Sequence, residues 1–408
     1  MASAAMLSLS ACNDLNEQEY EGNNYLSADQ RLATNEVIPD RVKATYDGMF
    51  NYIGKGGTSG QSKGQRADDF GLVMALISGD LEGADVACGD NNYNWFSVCG
   101  DLSSRNANYA NPYIRYVIPY KQMGVANQVI SSYPADTQDK KAITFIASAK
   151  TIRAYDYMML APYFQFGYEK AADQPCVPWL SDSVDATHNP RATVKKVYEV
   201  IMNDLNYAVE NLGAERSNKQ YINVDVALGL RARANLAMGK WAHAADAEKV
   251  INSGRYTPAT REEVSVPGFD DATSGDGHAW IWAVLRTEAD AQDNAGYGNY
   301  QSSAAWNCAF SGDGYAAATG NAPVINQLLY DKIPATDVRK GWWLNAQKHS
   351  PNWANLSWTD PDNGKVAKGD QMADFVLQNG NKAAFQPYTN IKFGMKNGVG
   401  ATTNMNDF

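Results

Sequence analysis

Ala147-Ser148-Ala149-Lys150-Thr151-Ile152-Arg153-Ala154-Tyr155-Asp156-Tyr157-Met158 is the stretch that decides the fold. It lies inside a longer run, 137–166, in which Ile143, Ile146, Ala147, Ala154, Tyr157, Met158 and Leu160 recur at helical spacing. Tyr155 and Tyr157, beside Arg153, read as core and interhelix packing. Upstream, 113–131 carries Val117, Tyr120, Val125, Val129 and Ile130 largely on one face, and Pro134 punctuates the gap. Two such helices joined by a short turn make a helical hairpin.

A second hairpin follows. Thr193 is a fitting N-cap for a helix with Val197, Ile201, Leu205 and Leu212 as its apolar face, ending at Gly213. Its partner is expected as one helix from about Val224 to Ser253. Small residues at Ala232, Gly239 and Ala244 would let helices approach closely, with Trp241 filling the gap. These are features of tetratricopeptide-type units, and the two hairpins look like imperfect copies. Helices are also expected over 41–53 and 69–78, the first ended by the Gly-rich stretch 54–60. That stretch lacks the Gly-Lys-Ser/Thr spacing of a phosphate loop and reads as a surface loop. After Pro258 the chain turns rich in Gly, Asn, Asp, Pro and Trp. Ala279-Trp280-Ile281-Trp282-Ala283-Val284 reads as a short strand there, and 321–330 as one short helix. The expected class is mainly α: tetratricopeptide-like hairpins with long irregular loops and a few short strands.

The chain has 408 residues, 44% hydrophobic and 20% charged, which is globular composition. Its net charge of −10 argues against nucleic acid, whose phosphates need clustered Lys and Arg. No segment after the first dozen residues approaches the ~18–20 apolar residues of a spanning helix. Those first residues carry a different signal. Ala5-Met6-Leu7-Ser8-Leu9-Ser10-Ala11-Cys12 is a small apolar run closing on a bacterial lipobox, followed at once by polar Asn13-Asp14-Leu15-Asn16-Glu17. Cys12 would carry the lipid, and the charged start of the leader is expected upstream of Met1. The organisation expected is leader and lipobox over 1–12, an acidic tether over 13–40, a helical scaffold over 41–258 and a loop-rich region over 259–408. Cys88 and Cys99 could close a short loop or stay as free thiols; the spacing leaves both open.

Three stretches, with Cys12, carry a family likeness. One is Ile118-Pro119-Tyr120-Lys121-Gln122-Met123-Gly124-Val125-Ala126-Asn127-Gln128-Val129-Ile130. The second is the 147–158 run, with its Arg-Ala-Tyr-x-Tyr. The third is Arg191-Ala192-Thr193-Val194 through Asp204-Leu205, continued by the Arg231–Tyr256 run; Asp337-Val338-Arg339 adds a D-x-R turn. In this order the chain resembles the SusD/RagB family of surface lipoproteins. The resemblance implies an outer-membrane location in a Gram-negative bacterium, through a lipid anchor and facing the exterior. It also implies a SusC-like TonB-dependent transporter barrel as partner, and capture of an oligosaccharide or a peptide without catalysis or cofactor. Two departures stand out: 163–180 matches the family run only loosely, and the family continues past Lys392-Phe393 into a further helical pair, so C-terminal helices are expected beyond this sequence.

The chemistry-bearing residues point the same way. His188, His243, His278 and His349 show no metal-ligand spacing, and no nucleophile elbow or His-Glu-x-x-His occurs. Asp270-Asp271 and Asp360-Pro361-Asp362-Asn363-Gly364 fail the EF-hand spacing and read as turns. The 10 Trp and 23 Tyr, many in Gly/Asn/Asp-rich stretches, suit sugars, since a ring face stacks on a pyranose while polar neighbours bond its hydroxyls. The ligand surface is expected on loops held by the scaffold. Tyr93 and Trp95 would stack, Asn91, Asn92 and Arg105 would bond hydroxyls, and Tyr297, Tyr300 and Trp306 would form the facing wall. Competing readings are a peptide-binding relative, a protein-binding tetratricopeptide scaffold and a secreted helical glycoside hydrolase.

Overall fold

The computed structural model describes residues 32–35, 38–61, 71–88, 95–180, 189–241, 245–265, 277–284, 323–352, 357–359, 366–368, 387–390 and 392. Its helices are α1 Pro39–Met49, α2 Asn51–Gly54, α3 Leu72–Leu81, α4 Ala110–Ile130, α5 Lys140–Phe164, α6 Tyr168–Ala171, α7 Val194–Asn211, α8 Val224–Ala237, α9 Asp246–Asn252 and α10 Gln327–Lys332. Among the described residues the strands form three two-stranded antiparallel sheets. These are β1 Val86–Ala87 with β4 Val324–Ile325, β2 Pro175–Pro178 with β3 Arg191–Thr193, and β5 Ser357–Thr359 with β6 Val366–Lys368. No described helix is long and apolar enough to cross a membrane. The architecture is mainly α, as the periodicity predicts.

The long helices stack in chain order, α4 on α5, α5 on α7, α7 on α8 and α8 on α9. α5 lies between two neighbours, so its buried residues, from Ala142 to Ala161, surround it rather than form one stripe. α7 sits nearer the surface and keeps an apolar face of Val194, Val197, Ile201, Leu205 and Ala208. Thr193 caps α7 as expected, its hydroxyl accepting from Lys196 N at 3.1 Å. Tyr155 and Tyr157 are buried in the core.

The polar residues of the three family stretches meet at one buried node. Arg153 Nε and NH2 donate to Asp204 Oδ2 and Oδ1 at 2.7 and 2.9 Å, while NH1 donates to Asn127 Oδ1 at 2.9 Å. Lys150 Nζ adds a contact to Asp204 at 3.3 Å. Asn127 is on α4, Arg153 on α5 and Asp204 on α7, so the node fixes the register of three helices. A pair this buried is strongly destabilising to break, because the survivor keeps an uncompensated charge. The D-x-R turn is local: Asp337 accepts from Arg339 N at 3.0 Å and pairs with the Arg339 guanidinium.

Two expectations are corrected. The run from Val224 to Ser253 is two helices, not one. Gly239 ends α8 with φ +73°, and a Cβ there would press on the Glu169 carboxylate. Its glycine serves a left-handed cap, not close helix packing. Arg231 then pins α9 back on α8 through Asp246, at 2.6 and 3.0 Å. Residues 279–284 form no strand. Their carbonyls are taken by side chains instead: Arg216 reaches Ile281 O, and Lys219 reaches Trp280 O at 2.6 Å. Trp282 docks edge-on to Tyr155 at 5.3 Å and donates Nε1 to Gln220 O at 2.9 Å. Cys88 and Cys99 are free thiols, held protonated by burial, which pushes them to about 11 and about 12.

Candidate ligand-binding surface

α3 delivers Glu82 to the base of this surface, and two short 3-10 turns, Ser97–Cys99 and Ser103–Arg105, lead from it into α4. Glu82 Oε1 accepts from Ser104 Oγ and from Arg115 NH2, both at 2.5 Å, and its Oε2 accepts from Arg105 Nε at 3.2 Å. Burial raises the Glu82 pKa, but hydrogen bonds from Arg115, Ser104 and Arg105 and the Arg115 charge outweigh it, and the net shift is downward. Arg115 also donates to Ser78 Oγ at 2.8 Å and lies over the Tyr163 ring at 4.8 Å. This buried cluster ties the segment before α4 to the α3–α4 pair.

The exposed side of the same segment is polar and aromatic. Arg105 is 59% exposed, and Asn106 and Asn108 are exposed beside it. Next come Tyr109, Tyr113 and Tyr116, exposed by 41, 45 and 38%. Tyr113 and Tyr116, three residues apart, share one face of α4, and Tyr109, its extended N-cap residue, precedes them; these three form a tyrosine row at the start of the helix. Tyr116 sits edge-on to Phe164 at 5.4 Å and beside Tyr120 at 4.7 Å, and Tyr120 donates to Pro178 O at 2.6 Å. Exposed Phe166 follows α5 at that end.

Of the residues expected from sequence, Arg105 stands on this surface. Trp95 is at its edge, partly buried against the core, and its carbonyl accepts from Asn111 Nδ2 at 2.9 Å. Asn91, Asn92, Tyr93, Tyr297, Tyr300, Trp306 and Cys12 lie outside the described residues. Sequence reasoning missed Tyr109, Tyr113 and Tyr116 because it sought rings on loops. The signal was present: tyrosine at 109, 113, 116 and 120 is a helical stripe of rings, with neither Leu nor Val at those positions. Among the described residues no group of three or more His, Cys, Asp or Glu could hold a metal ion. His278 pairs with Glu263 at 3.0 Å.

Residues 80–236, which span this surface and both hairpins, match the SusD-like family model described as starch-binding, associating with outer membrane. The chain has a SusD-like fold. Its fold is shared with a SusD-like carbohydrate binding protein from Bacteroides vulgatus, at 19% identity and a TM-score of 0.62, covering 84% of this chain and 67% of that one. A SusD superfamily protein from Bacteroides thetaiotaomicron is 22% identical with a TM-score of 0.55, covering 86% and 72%. A laminarin binding SusD-like protein is 15% identical with a TM-score of 0.56, covering 90% and 76%. No curated protein matches the chain in sequence. At these identities the solved structures establish the SusD-like fold and leave the ligand to the chemistry of this surface.

Proposed function

We propose that this SusD-like chain binds a glycan at the bacterial surface and passes it on without turning it over. The observation that carries the reading is the row Tyr109, Tyr113, Tyr116 beside Arg105, Asn106 and Asn108. A phenol ring covers the apolar face of a pyranose at little conformational cost, and its hydroxyl stays in water. Guanidinium and amide groups at the end of the row bond sugar hydroxyls. The loop residues Asn91, Asn92, Tyr93, Trp95, Tyr297, Tyr300 and Trp306 extend the binding surface in this reading. The family description and the carbohydrate-binding relatives support it. Cys12 is the lipid attachment site to the outer membrane, and a SusC-like TonB-dependent barrel receives the sugar.

The test is calorimetric titration with a panel of neutral oligosaccharides, with chromatography of the sugars afterwards. At least one should bind and be recovered intact. Tyr109→Ala with Tyr113→Ala should weaken that affinity by about tenfold with an unchanged melt. Binding only of peptides, cleavage of the sugar, or affinity indifferent to both substitutions would each overturn the reading.

A further inference from the structure

An open cleft of about 510 Å3 runs between α1–α2 and α4, lined by Gly48, Asn51, Tyr52, Lys55, Lys121 and Gln128 among others. This is within the size range of small-ligand sites. Glycine keeps it open. Gly48 is in α1 and Gly124 is inside α4; a Cβ at either would meet nothing within 4 Å, and neither has positive φ. Glycine inside a helix is disfavoured relative to alanine. Neither packing nor backbone geometry requires it at these two positions. What they have in common is the cleft, which longer side chains would fill.

The lining also has a sign. The chain carries −10 overall, yet among the described residues this cleft is lined by two lysines and by no Asp or Glu. Lys121 Nζ donates to the carbonyls of Thr58 and Ser59 at 3.0 and 3.1 Å, which fixes the ammonium at the cleft edge with one N–H left over. Among the described residues no carboxylate pairs with Lys121. Asn51, Tyr52, Thr58 and Gln128 add amide, phenol and hydroxyl groups around it. Gln122, buried between the same helices, donates to Met49 O at 2.9 Å and leaves Oε1 without a partner.

We propose that this cleft binds the anionic group of an acidic sugar, a uronate carboxylate or a sulfate ester, apart from the tyrosine row. Lys55 and Lys121 meet the charge, and the amides, Thr58 and Tyr52 bond the ring hydroxyls. That the anion arrives on a sugar rests on the proposed glycan function; that the cleft takes an anion rests on its own lining.

The experiment is calorimetric titration with a galacturonic acid trimer, with its methyl ester, and with a sulfated galactose trimer. The acid, the sulfate or both should bind, with the uncharged ester at least about tenfold weaker, as loss of a charge-assisted hydrogen bond implies. Gly124→Leu should remove this binding without lowering the melting temperature, because leucine is the better helix former. Lys55→Met should weaken it about tenfold. Tyr109→Ala with Tyr113→Ala should leave it intact. The proposal is overturned if the uncharged ester binds as tightly as an anionic trimer, if neither anionic trimer binds, or if Gly124→Leu binds as tightly as the unaltered protein. Anion binding here with no neutral glycan on the tyrosine row would sink the proposed function and spare this one.

Discussion

Glu82 accepts from three donors at the foot of the tyrosine row, and only Arg105 among them is on the exposed side. Glu82→Ala would leave Arg115 buried without its countercharge, at a cost of about 3–5 kcal/mol. Denaturant titration checks this, and a loss below about 1 kcal/mol would show that Arg115 finds another partner. Asp156 presents the opposite electrostatics. It is fully buried on α5, neither carboxylate oxygen has a partner, and burial holds its pKa well above the ordinary carboxylate value. A raised folded pKa gives stability that is complete below the unfolded value and lost as pH rises toward the folded one. Asp156→Asn should therefore stabilise the protein near about pH 7, with the gain shrinking toward pH ~4. Equal unfolding free energies for the two proteins at neutral pH would mean that Asp156 has a counterion.

At the scale of elements, α7 is the most legible helix, because it keeps both its apolar period and its side-chain cap. Thr193 could be read as a cap from sequence, and Thr193→Ala should cost about 1 kcal/mol, measured as a shift in denaturation midpoint. A midpoint that does not move would mean that Lys196 N finds another acceptor. The break in the second hairpin was not legible, because Gly239 fits a close-packing position as well as a left-handed cap. Only the neighbouring Glu169 and the +73° φ separate the two. Gly239→Ala should cost about 1–2 kcal/mol through the strained φ alone. The 279–284 stretch alternates like a strand, but the acceptors a sheet would use are held by Arg216 and Lys219, which lie some sixty residues upstream. Arg105 draws attention in the sequence because the stretch Leu102–Tyr120 is otherwise uncharged apart from Arg115. The three tyrosines were passed over because a ring on a helix is usually core, and exposure is a property of the stack around it.

At the scale of the whole molecule, the described cysteines are free, so the stack rests on one continuous buried core and on polar nodes between helices. Both depend on protonation, in opposite directions. Burial raises Asp246 as it does Glu82, but the hydrogen bonds and charges of Arg231 and Lys249 win, and its shift is downward from 3.8. Groups lowered in this way give stability that is present above their unfolded values and lost as pH falls through the folded ones, so the acid limb opens below pH ~4. Burial raises Cys88 from 9.0 to about 11, Cys99 to about 12, and Tyr46 and Tyr155 from 10.0 to about 12. These groups give stability that is complete below their unfolded values and lost as pH climbs through the folded ones. The alkaline limb should therefore open near pH 9, where an unfolded chain begins to release thiol protons that the folded one retains. Urea denaturation across pH should show loss on both sides, and Tyr46→Phe should make the alkaline limb shallower while leaving the acid limb unchanged. Stability that stays level to pH ~11 would mean that water reaches these phenols and thiols in the folded protein, and that the stack is looser than its buried rings imply.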